Sequence, residues 1–459
     1  MKPEHPLNLA FFRVAVLLVI LVSPEVQDGV AWSSLPPALR VVPEGLGWLV
    51  ALVPISPAWA RVAQVVLVAS AIAGIAGLFS RIALLLVTLS GLYLFAMVQL
   101  SGSVTHDMHL FWFTALLAAS PSGAALSLDA LIARRRRPSA PDPAPSIAHA
   151  IPLWGARLLL GAIYFFPGFW KLQSSGLGWI FSDNLRNQMY WKWHQMGGYT
   201  PALRVDLSPT LCQAGALAAV LFELSFVFLV LTRRGRIAAA ILGLGFHLAS
   251  SVFLRIPFMS LWICYVVLID WAAISARFKR LGGAEPELSA NSMMRSEKGA
   301  PRPENGLTRS AVVCACLCAA LLTGAVVQGA RNRIQAWPFA CYPTFQWTVS
   351  AEMPDLLVEA VMDDGRPAAL LDGGGGAAGG IRSQERWGMV WSIAGMYDRD
   401  PTEAQLRAYL DLIAVDAPVR DTMDGAASVR FYRAFYSVIP EDRGKPPLRK
   451  TMIGEVSLR

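Results

Sequence analysis

Long apolar runs alternate with shorter polar segments through the first 330 residues of the chain. The hydrocarbon core of a bilayer takes about 20 residues of α-helix, so such runs predict membrane-spanning helices. We predict nine helices, at about residues 7–23, 60–79, 82–100, 108–119, 152–172, 209–232, 237–254, 258–273 and 310–329. The fourth run is the shortest, and either a spanning or a re-entrant segment fits its length.

The pattern changes at about Ala336, where a polar region of mixed periodicity begins. Alternation in 355–362 and 428–439 predicts strands, and 402–415 has helical period behind a Thr402 cap. The glycine-rich run 373–380 predicts a flexible loop, and no Lys-Ser/Thr comes after it, which argues against a phosphate-binding loop.

The predicted fold is therefore mainly α, a polytopic transmembrane bundle of about nine helices with a small C-terminal extracytoplasmic α+β domain. The domains that we assign are the bundle (1–280), a cytoplasmic linker (281–307), the last transmembrane helix (308–330) and the extracytoplasmic domain (335–459).

Composition supports a membrane protein and excludes several other classes. The chain of 459 residues is 54% hydrophobic and 16% charged, against about 25% charged in a soluble protein. The net charge of +8 comes from basic clusters beside apolar runs, where they set topology, so no nucleic-acid partner is expected. There is neither a C-x-x-C pair nor a metal-ligand spacing, and no metal is predicted.

Three basic clusters predict the orientation. With the N-terminus in the cytoplasm, the clusters 134–137, 233–236 and 277–280 come after the fourth, sixth and eighth helices. All three then lie on the cytoplasmic side, as the positive-inside rule requires. This orientation puts Lys171, His106 and the C-terminal domain outside.

Ionisable residues lie inside the apolar runs, where a bilayer tolerates them only if they have a charged or polar partner or face a cavity. They are Arg13, Arg157, Lys171, Glu223 and His247. We expect Arg157 or Arg13 to pair with Glu223, which would leave Lys171 and the histidines at the external mouth. The alternative is a set of buried ion pairs that only fix helix register.

Lys171 closes the run 164-YFFPGFWKL-172, at a membrane boundary. It fits either an anchor whose ammonium group reaches the lipid interface or a desolvated lysine that acts as a base. Pro167 and Gly168 just before it loosen the helix, and the aromatic, amphiphilic segment 180–195 looks like a cover at the interface; we call this segment the lid.

His106 and His109 lie three residues apart, on one face of a helix. That spacing could bind a metal, but no third ligand stands nearby. A polar site near the external mouth and plain helix capping are the other two interpretations.

Several motifs occur in an order that resembles the vitamin K-dependent γ-carboxylase family. They are 164-YFFPGFWKL-172 with Trp179, Glu223 with Leu224, 246-FHLASSVFLRIPFMS-260, and the segment from His106 to Asp129. That family is grouped with bacterial proteins that carry the horizontally transferred transmembrane (HTTM) domain. The resemblance covers about residues 7–280, and 337-WPFACYPTF-345 is similar to the segment after the bundle in some bacterial relatives.

The resemblance implies a carboxylase-like lyase or oxidoreductase that uses reduced vitamin K, a menaquinol-type quinone. Lys171 matches the base that deprotonates the reduced quinone for reaction with oxygen, after which a glutamate γ-carbon loses a proton and adds carbon dioxide. His106 matches a histidine that supports this chemistry, and His247 matches a further family histidine. The remaining candidate pocket residues are Arg13, His109, Arg157, Trp170, Trp179 and Glu223.

The chain departs from the carboxylase at two points. Trp170 stands where that enzyme has a second lysine, and the C-terminal domain is much shorter than the carboxylase's luminal part. Because some bacterial relatives are associated with maturation or export of secreted peptides, the alternative is a non-catalytic membrane module for such a peptide. Both interpretations expect the bacterial inner membrane, with membrane lipid, a lipid-soluble quinone and a secreted peptide as candidate partners.

Overall fold

The computed structural model describes residues 1–100, 107–139, 143–195, 199–281, 308–333, 336–339, 345–373, 401–415 and 417–459. The N-terminal part is helical. Its helices are α1 (Pro6–Val22), α2 (Glu25–Trp32), α3 (Gly47–Leu52), α4 (Pro57–Ala76), α5 (Ser80–Val98), α6 (His109–Ala119), α7 (Leu128–Arg136), α8 (Ile147–Ser175), α9 (Gly178–Phe181), α10 (Asn184–Gln195), α11 (Pro209–Leu229), α12 (Arg233–Ala249), α13 (Met259–Trp262), α14 (Trp271–Leu281) and α15 (Arg309–Ala330).

Eight of the nine predicted apolar runs each form a helix in the described chain, while the run 258–273 is broken into α13, the 3₁₀ segment Ile263–Leu268 and the start of α14. Six of the helices are long and apolar enough to cross a membrane. They are α4, α5, α8, α11, α12 with its continuation to Leu254, and α15. Two bent pairs bring the number to eight if each is one span: α1 with α2, bent by 45°, and Met259–Leu268 with Trp271–Phe278, bent by 66°. With 11 residues, α6 is about 16 Å long and too short to cross by itself.

Helix α8 is the centre of the bundle, and 83% of the residues in its most apolar stretch are buried. It packs against α11 on one side and α15 on the other. Two glycines allow the close approach of α11: a Cβ at Gly161 would meet Val227, and one at Gly168 would lie 2.9 Å from the Cβ of Glu223. The helix continues through Pro167 without ending there.

The C-terminal part is an α+β domain with helices α16 (Glu403–Ile413) and α17 (Ala417–Asp424). Its strands are β1 (Glu352–Val361), β2 (Pro367–Gly373), β3 (Ser428–Ser437) and β4 (Arg449–Ser457), which pair antiparallel in the order β2-β1-β3-β4. The predicted strands correspond to β1 and β3. The predicted helix is α16, which Thr402 caps together with Gln405.

Two predicted features fall largely outside the described residues. These are the linker, of which only residue 281 is described, and the glycine-rich loop, of which only residue 373 is described. Strands β2 and β4 and helices α2, α3, α7, α9, α10 and α17 were not predicted.

The segment 345–350, which we call the strap, joins the two parts of the molecule along the lid. Its backbone carbonyls accept hydrogen bonds from side chains at the end of α8, in α9 and in α10. The donor–acceptor pairs are Ser175–Gln346, Trp179–Phe345, Asn187–Val349, Gln188–Trp347 and Trp191–Ser350. A cluster of buried residues from α10 and the domain, including Trp193 and Met353, reinforces this contact.

Candidate functional site

A cavity lies between the lid and those ends of α8, α11 and α12 that are nearer the C-terminal domain, which we call the outer ends, with a volume of about 760 Å³ including its open mouth. Helix α8 contributes Tyr164 and Lys171, and α11 contributes Glu223. The lid contributes Leu185 and Gln188, while the remaining wall is mostly aliphatic and aromatic. The cavity therefore combines an apolar wall with a few polar groups, as small-molecule sites do.

Lys171 and Glu223 form a buried ion pair at the outer end of this cavity. The Lys171 ammonium nitrogen lies 2.5 and 2.6 Å from the two carboxylate oxygens, and both residues are about 95% buried. The same nitrogen lies 5.1 Å from the centre of the Trp179 ring. Gly168 makes the pairing possible, because its missing side chain lets α11 carry Glu223 against α8.

The predicted partner of Glu223 was wrong, because Arg157 and Arg13 lie elsewhere. Arg157 is 14 residues before Lys171 on α8, about 21 Å away along the helix. It donates to Glu4 Oε1 and to the Val267 carbonyl, each at 2.9 Å. Arg13 donates to the carbonyls of Ser122 and Leu126. Neither arginine lines the cavity.

His247 lies on the cavity wall nearer the middle of α8, where two tyrosines hold it. The Tyr164 hydroxyl is 2.6 Å from His247 Nε2 and 2.6 Å from the Tyr265 hydroxyl. Within the described chain, His247 Nδ1 and the Ser250 hydroxyl are buried with no hydrogen-bonding partner. Both residues line the cavity, so a ligand there could supply the partners that these two atoms lack.

Ser250 begins a π-helical turn, Ser250–Leu254, that continues α12. Such turns are rare and occur frequently at functional sites, because they re-aim side chains within a helix. Here the turn brings Ser250 to the cavity wall three residues after His247.

The other predicted pocket residues are scattered. His109 Nε2 contacts the Ser260 carbonyl at 2.9 Å, and Trp170 donates to the Gly329 carbonyl at 2.7 Å; neither lines the cavity. His106 lies outside the described residues, so the structure does not test the predicted role of this side chain. Within the described part of the chain, no three metal-ligating side chains come together.

Burial also perturbs the lid itself, outside the membrane-spanning helices. It lowers the pKa of Lys192 to about 8, and burial together with nearby Arg443 lowers the pKa of His194 to about 4. Asp206 also contacts the lid, because it accepts a hydrogen bond from Tyr190 at 3.0 Å. Arg204, which follows the lid, donates to the same carboxylate oxygen at 2.7 Å.

Sequence reasoning missed Tyr164, Tyr265 and Ser250. Tyr164 had a detectable signal, because it lies seven residues before Lys171 and so on nearly the same face of α8. Ser250 comes three residues after His247, which also places the two on one helical face. Tyr265 had no local signal, since only the packing of the 3₁₀ segment Ile263–Leu268 brings it to Tyr164.

Comparison with known proteins gave one match. A family model described as the HTTM domain matches residues 1–271, which include every cavity residue named above. Neither the comparison with curated proteins nor that with solved structures found a match.

Proposed function

The chain belongs to the HTTM domain family, and from this premise we propose that it is a quinone-dependent, γ-carboxylase- or epoxidase-like enzyme with Lys171 as base. The observation that carries the proposal is the buried Lys171–Glu223 pair on the wall of a largely apolar cavity. A lysine that only anchored a helix end would direct its ammonium group to the lipid interface.

The chemistry of the cavity suits reduced vitamin K. Its wall is largely aliphatic and aromatic, as is typical of small-molecule sites. His247 Nδ1 and the Ser250 hydroxyl are buried polar atoms that a quinol oxygen could satisfy. A bound naphthohydroquinone would supply an acidic hydroxyl and the subsequent reaction with oxygen.

The chain's own contribution is binding and proton transfer. The Lys171–Glu223 pair has no net charge in either arrangement of its shared proton, and it behaves as one unit toward an incoming proton. With the shared proton on Glu223, Lys171 Nζ would be a neutral amine that can accept a proton from a ligand hydroxyl. The pair would then consist of a neutral Glu223 carboxyl and a Lys171 ammonium, whose positive charge would stabilise the anion beside it. Tyr164 fixes the orientation of His247 from the far side, and the lid with the strap limits access of water.

We also propose the bacterial inner membrane, with the N-terminus in the cytoplasm and the C-terminal domain outside. The contacts at the inner end of the bundle support this orientation. Glu4 lies within 3.7 Å of Arg236, and Arg233 lies 3.1 Å from Asp270. The N-terminus and one basic cluster therefore share one end of the molecule, while Lys171 and the domain share the other.

The test is quinone turnover by the purified protein in detergent. Wild type, Lys171→Met and Lys450→Met receive reduced vitamin K and oxygen, and the epoxide is measured by mass spectrometry. Lys450 lies on β4, so its variant is a matched control for loss of a lysine. We expect epoxide from wild type and Lys450→Met but not from Lys171→Met.

Epoxide from a folded Lys171→Met variant would refute the role of Lys171. No epoxide from folded wild type would favour the alternative, a non-catalytic module that binds a secreted peptide. In that case the lid and the strap would be the surfaces to examine next.

A further inference from the structure

The inner end of the bundle, away from the C-terminal domain, carries two short helices, α7 and α14. Helix α14 turns by 66° from the segment Met259–Leu268 that precedes it, so it does not continue that span. Its first turn is fixed to α1, because the Trp271 ring stacks on Phe11 at 4.5 Å and the Ala272 amide donates to Asn8. A short helix that turns away at the end of a span can lie along the membrane surface.

Helix α7 lies at the same end. Helix α3, just before α4, is at the outer end, since Trp48 packs against Trp337, which follows the outer end of α15. Because α4 is about 30 Å long, the turn between α4 and α5 is at the inner end. Asp129, in the first turn of α7, accepts hydrogen bonds from the amides of Phe79 and Ser80 in that turn. Both short helices therefore lie where the bundle meets the headgroups of one leaflet.

Each of the two helices exposes an apolar face. On α14, Ile274 and Phe278 lie four residues apart on one face, and Phe278 is 69% exposed. On α7, Leu128, Leu131 and Ile132 follow the i, i+3, i+4 spacing of one helical face and are also exposed. Apolar faces of this kind gain free energy from burial in the boundary between headgroups and acyl chains.

The charged side chains beside these faces are arginines. Arg135 and Arg136 end α7 and Arg137 follows it, while Arg277 and Arg280 lie on α14. All five are exposed, and none of them forms an ion pair within the described chain. Both helices therefore combine an apolar face with a basic one, which is the composition of helices that bind a membrane surface.

The acidic side chains at this end do not cancel the charge of the five arginines. Among the described residues they are Glu4, Asp129 and Asp270. Glu4 lies 2.9 Å from Arg157, Asp270 lies 3.1 Å from Arg233, and Asp129 accepts hydrogen bonds from the start of α5. Since each of these carboxylates has its own partner, the five exposed arginines leave this end positively charged.

We propose that α7 and α14 bind anionic phospholipids, with their apolar faces in the membrane interface and the five arginines on the lipid phosphates. Arginine suits this role, because its guanidinium group holds a phosphate through two parallel hydrogen bonds. An anionic leaflet attracts basic residues near its surface, and the apolar faces favour a membrane over a soluble polyanion such as a nucleic acid. The two helices are at the opposite end of the bundle from Lys171, so the inference stands whether or not Lys171 acts as a base.

The experiment measures which phospholipid the full-length protein retains. The protein is reconstituted in nanodiscs of equimolar phosphatidylglycerol and phosphatidylcholine with the same acyl chains and extracted in detergent, and native mass spectrometry counts the bound lipids. The variants are Phe278→Ser and the double change Arg277→Gln with Arg280→Gln. The controls are Arg331→Gln, an exposed arginine after the outer end of α15, and Met452→Ser, an exposed apolar side chain on β4.

We expect wild type to retain phosphatidylglycerol in preference to phosphatidylcholine. The double variant should lower this preference by at least about fivefold, the effect of losing about one basic residue at an anionic surface, and Phe278→Ser should lower it less. Added salt should also lower it, because salt screens exposed charges. Arg331→Gln, Met452→Ser and Lys171→Met should keep the wild-type preference, and the last of these separates the lipid site from the proposed enzyme activity.

Four results would overturn the proposal. The first two are equal retention of both lipids by folded wild-type protein and an unchanged preference in the double variant. The third is an equal loss in Arg331→Gln, which would show only a general attraction between a basic protein and anionic lipid. The fourth is binding of a short RNA duplex that depends on the same arginines and excludes phosphatidylglycerol, which would assign them to a nucleic acid.

Discussion

Helix α8 carries two ion pairs, one in its first half, which we call the inner end, and one at its outer end, and the two pairs differ in their surroundings. At the inner end, Arg157 contacts Glu4 and the Val267 carbonyl and lies 5.5 Å from the centre of the Trp154 ring. At the outer end, Lys171 contacts Glu223 and lies beside a cavity that reaches His247. In the inner pair Arg157 is buried and Glu4 is 16% exposed, whereas both members of the outer pair are buried and line the cavity.

The difference shows that a buried charge in a membrane helix is not by itself a sign of function. Arginine cannot release its proton under ordinary conditions, so Arg157 can only hold helices together. A lysine side chain can act as a base where an arginine cannot, and Lys171 has a carboxylate partner and a cavity beside it. The two ends of α8 therefore differ in that the outer end has a lysine beside a cavity, whereas the inner end has an arginine that does not line it.

The largest expected effect is on activity at the outer end. Lys171→Arg keeps a cation opposite Glu223 but removes a residue that can act as a base. We expect a folded protein whose rate of epoxide formation falls by about 10²–10⁴-fold, the usual contribution of general acid–base catalysis. Mass spectrometry of the epoxide measures the rate, and size-exclusion chromatography measures folding.

Lys450→Arg is the control for this change, because Lys450 pairs with Glu359 on the surface of the domain. Nearly full activity in Lys171→Arg would make the outer pair structural, like the inner one. That outcome would favour the peptide-binding module over the enzyme.

At the inner end, the expected effect is on stability. Arg157→Met leaves Glu4 without its main partner, and breaking a buried pair from one side costs about 3 kcal/mol or more. We expect the lower end of that range, because Arg236 remains 3.7 Å from Glu4. Thermal unfolding in detergent measures the loss, and epoxide formation per folded molecule should be unchanged. A folded Arg157→Met protein that lacked activity would show that both ends serve the site.

The helices were predictable because the apolar runs are long and a bilayer leaves few alternatives. The pairing of Glu223 was not, because it depends on which face of α11 meets α8. Gly168 allows that close contact, yet the presence of a glycine in the sequence does not show which residue packs against it. The cavity was half predictable: Lys171, Trp179, Glu223 and His247 had been singled out and do line it, but Arg13, His109, Arg157 and Trp170 do not.

Acid should destabilise the lid, because burial keeps His194 neutral in the folded protein. The His194 pKa is about 4 in the folded protein and about 6.5 in an unfolded chain, so the unfolded state binds more protons between these values. His194 therefore costs the folded state no stability above about pH 6.5. As the pH falls from 6.5 towards 4, the folded state, which keeps this imidazole neutral, loses up to about 3 kcal/mol relative to the unfolded state. We expect His194→Gln to lose less stability than wild type between pH 7 and 4.5 in thermal unfolding. Parallel curves for the two proteins would contradict the buried, neutral state of His194.

The smallest change tests the glycine contact that sets the outer pair. Gly168→Ala places a Cβ 2.9 Å from the Cβ of Glu223, where the backbone of α11 must shift, and we expect a loss of about 1–3 kcal/mol. Because the shift also separates Lys171 from Glu223, epoxide formation should fall by about 10–100-fold. Gly155→Ala is the matched change at the inner end, where the new Cβ meets the Cys318 sulfur, an atom that can rotate away. If the two variants lose activity equally, the distance between α8 and α11 does not control the rate of epoxide formation.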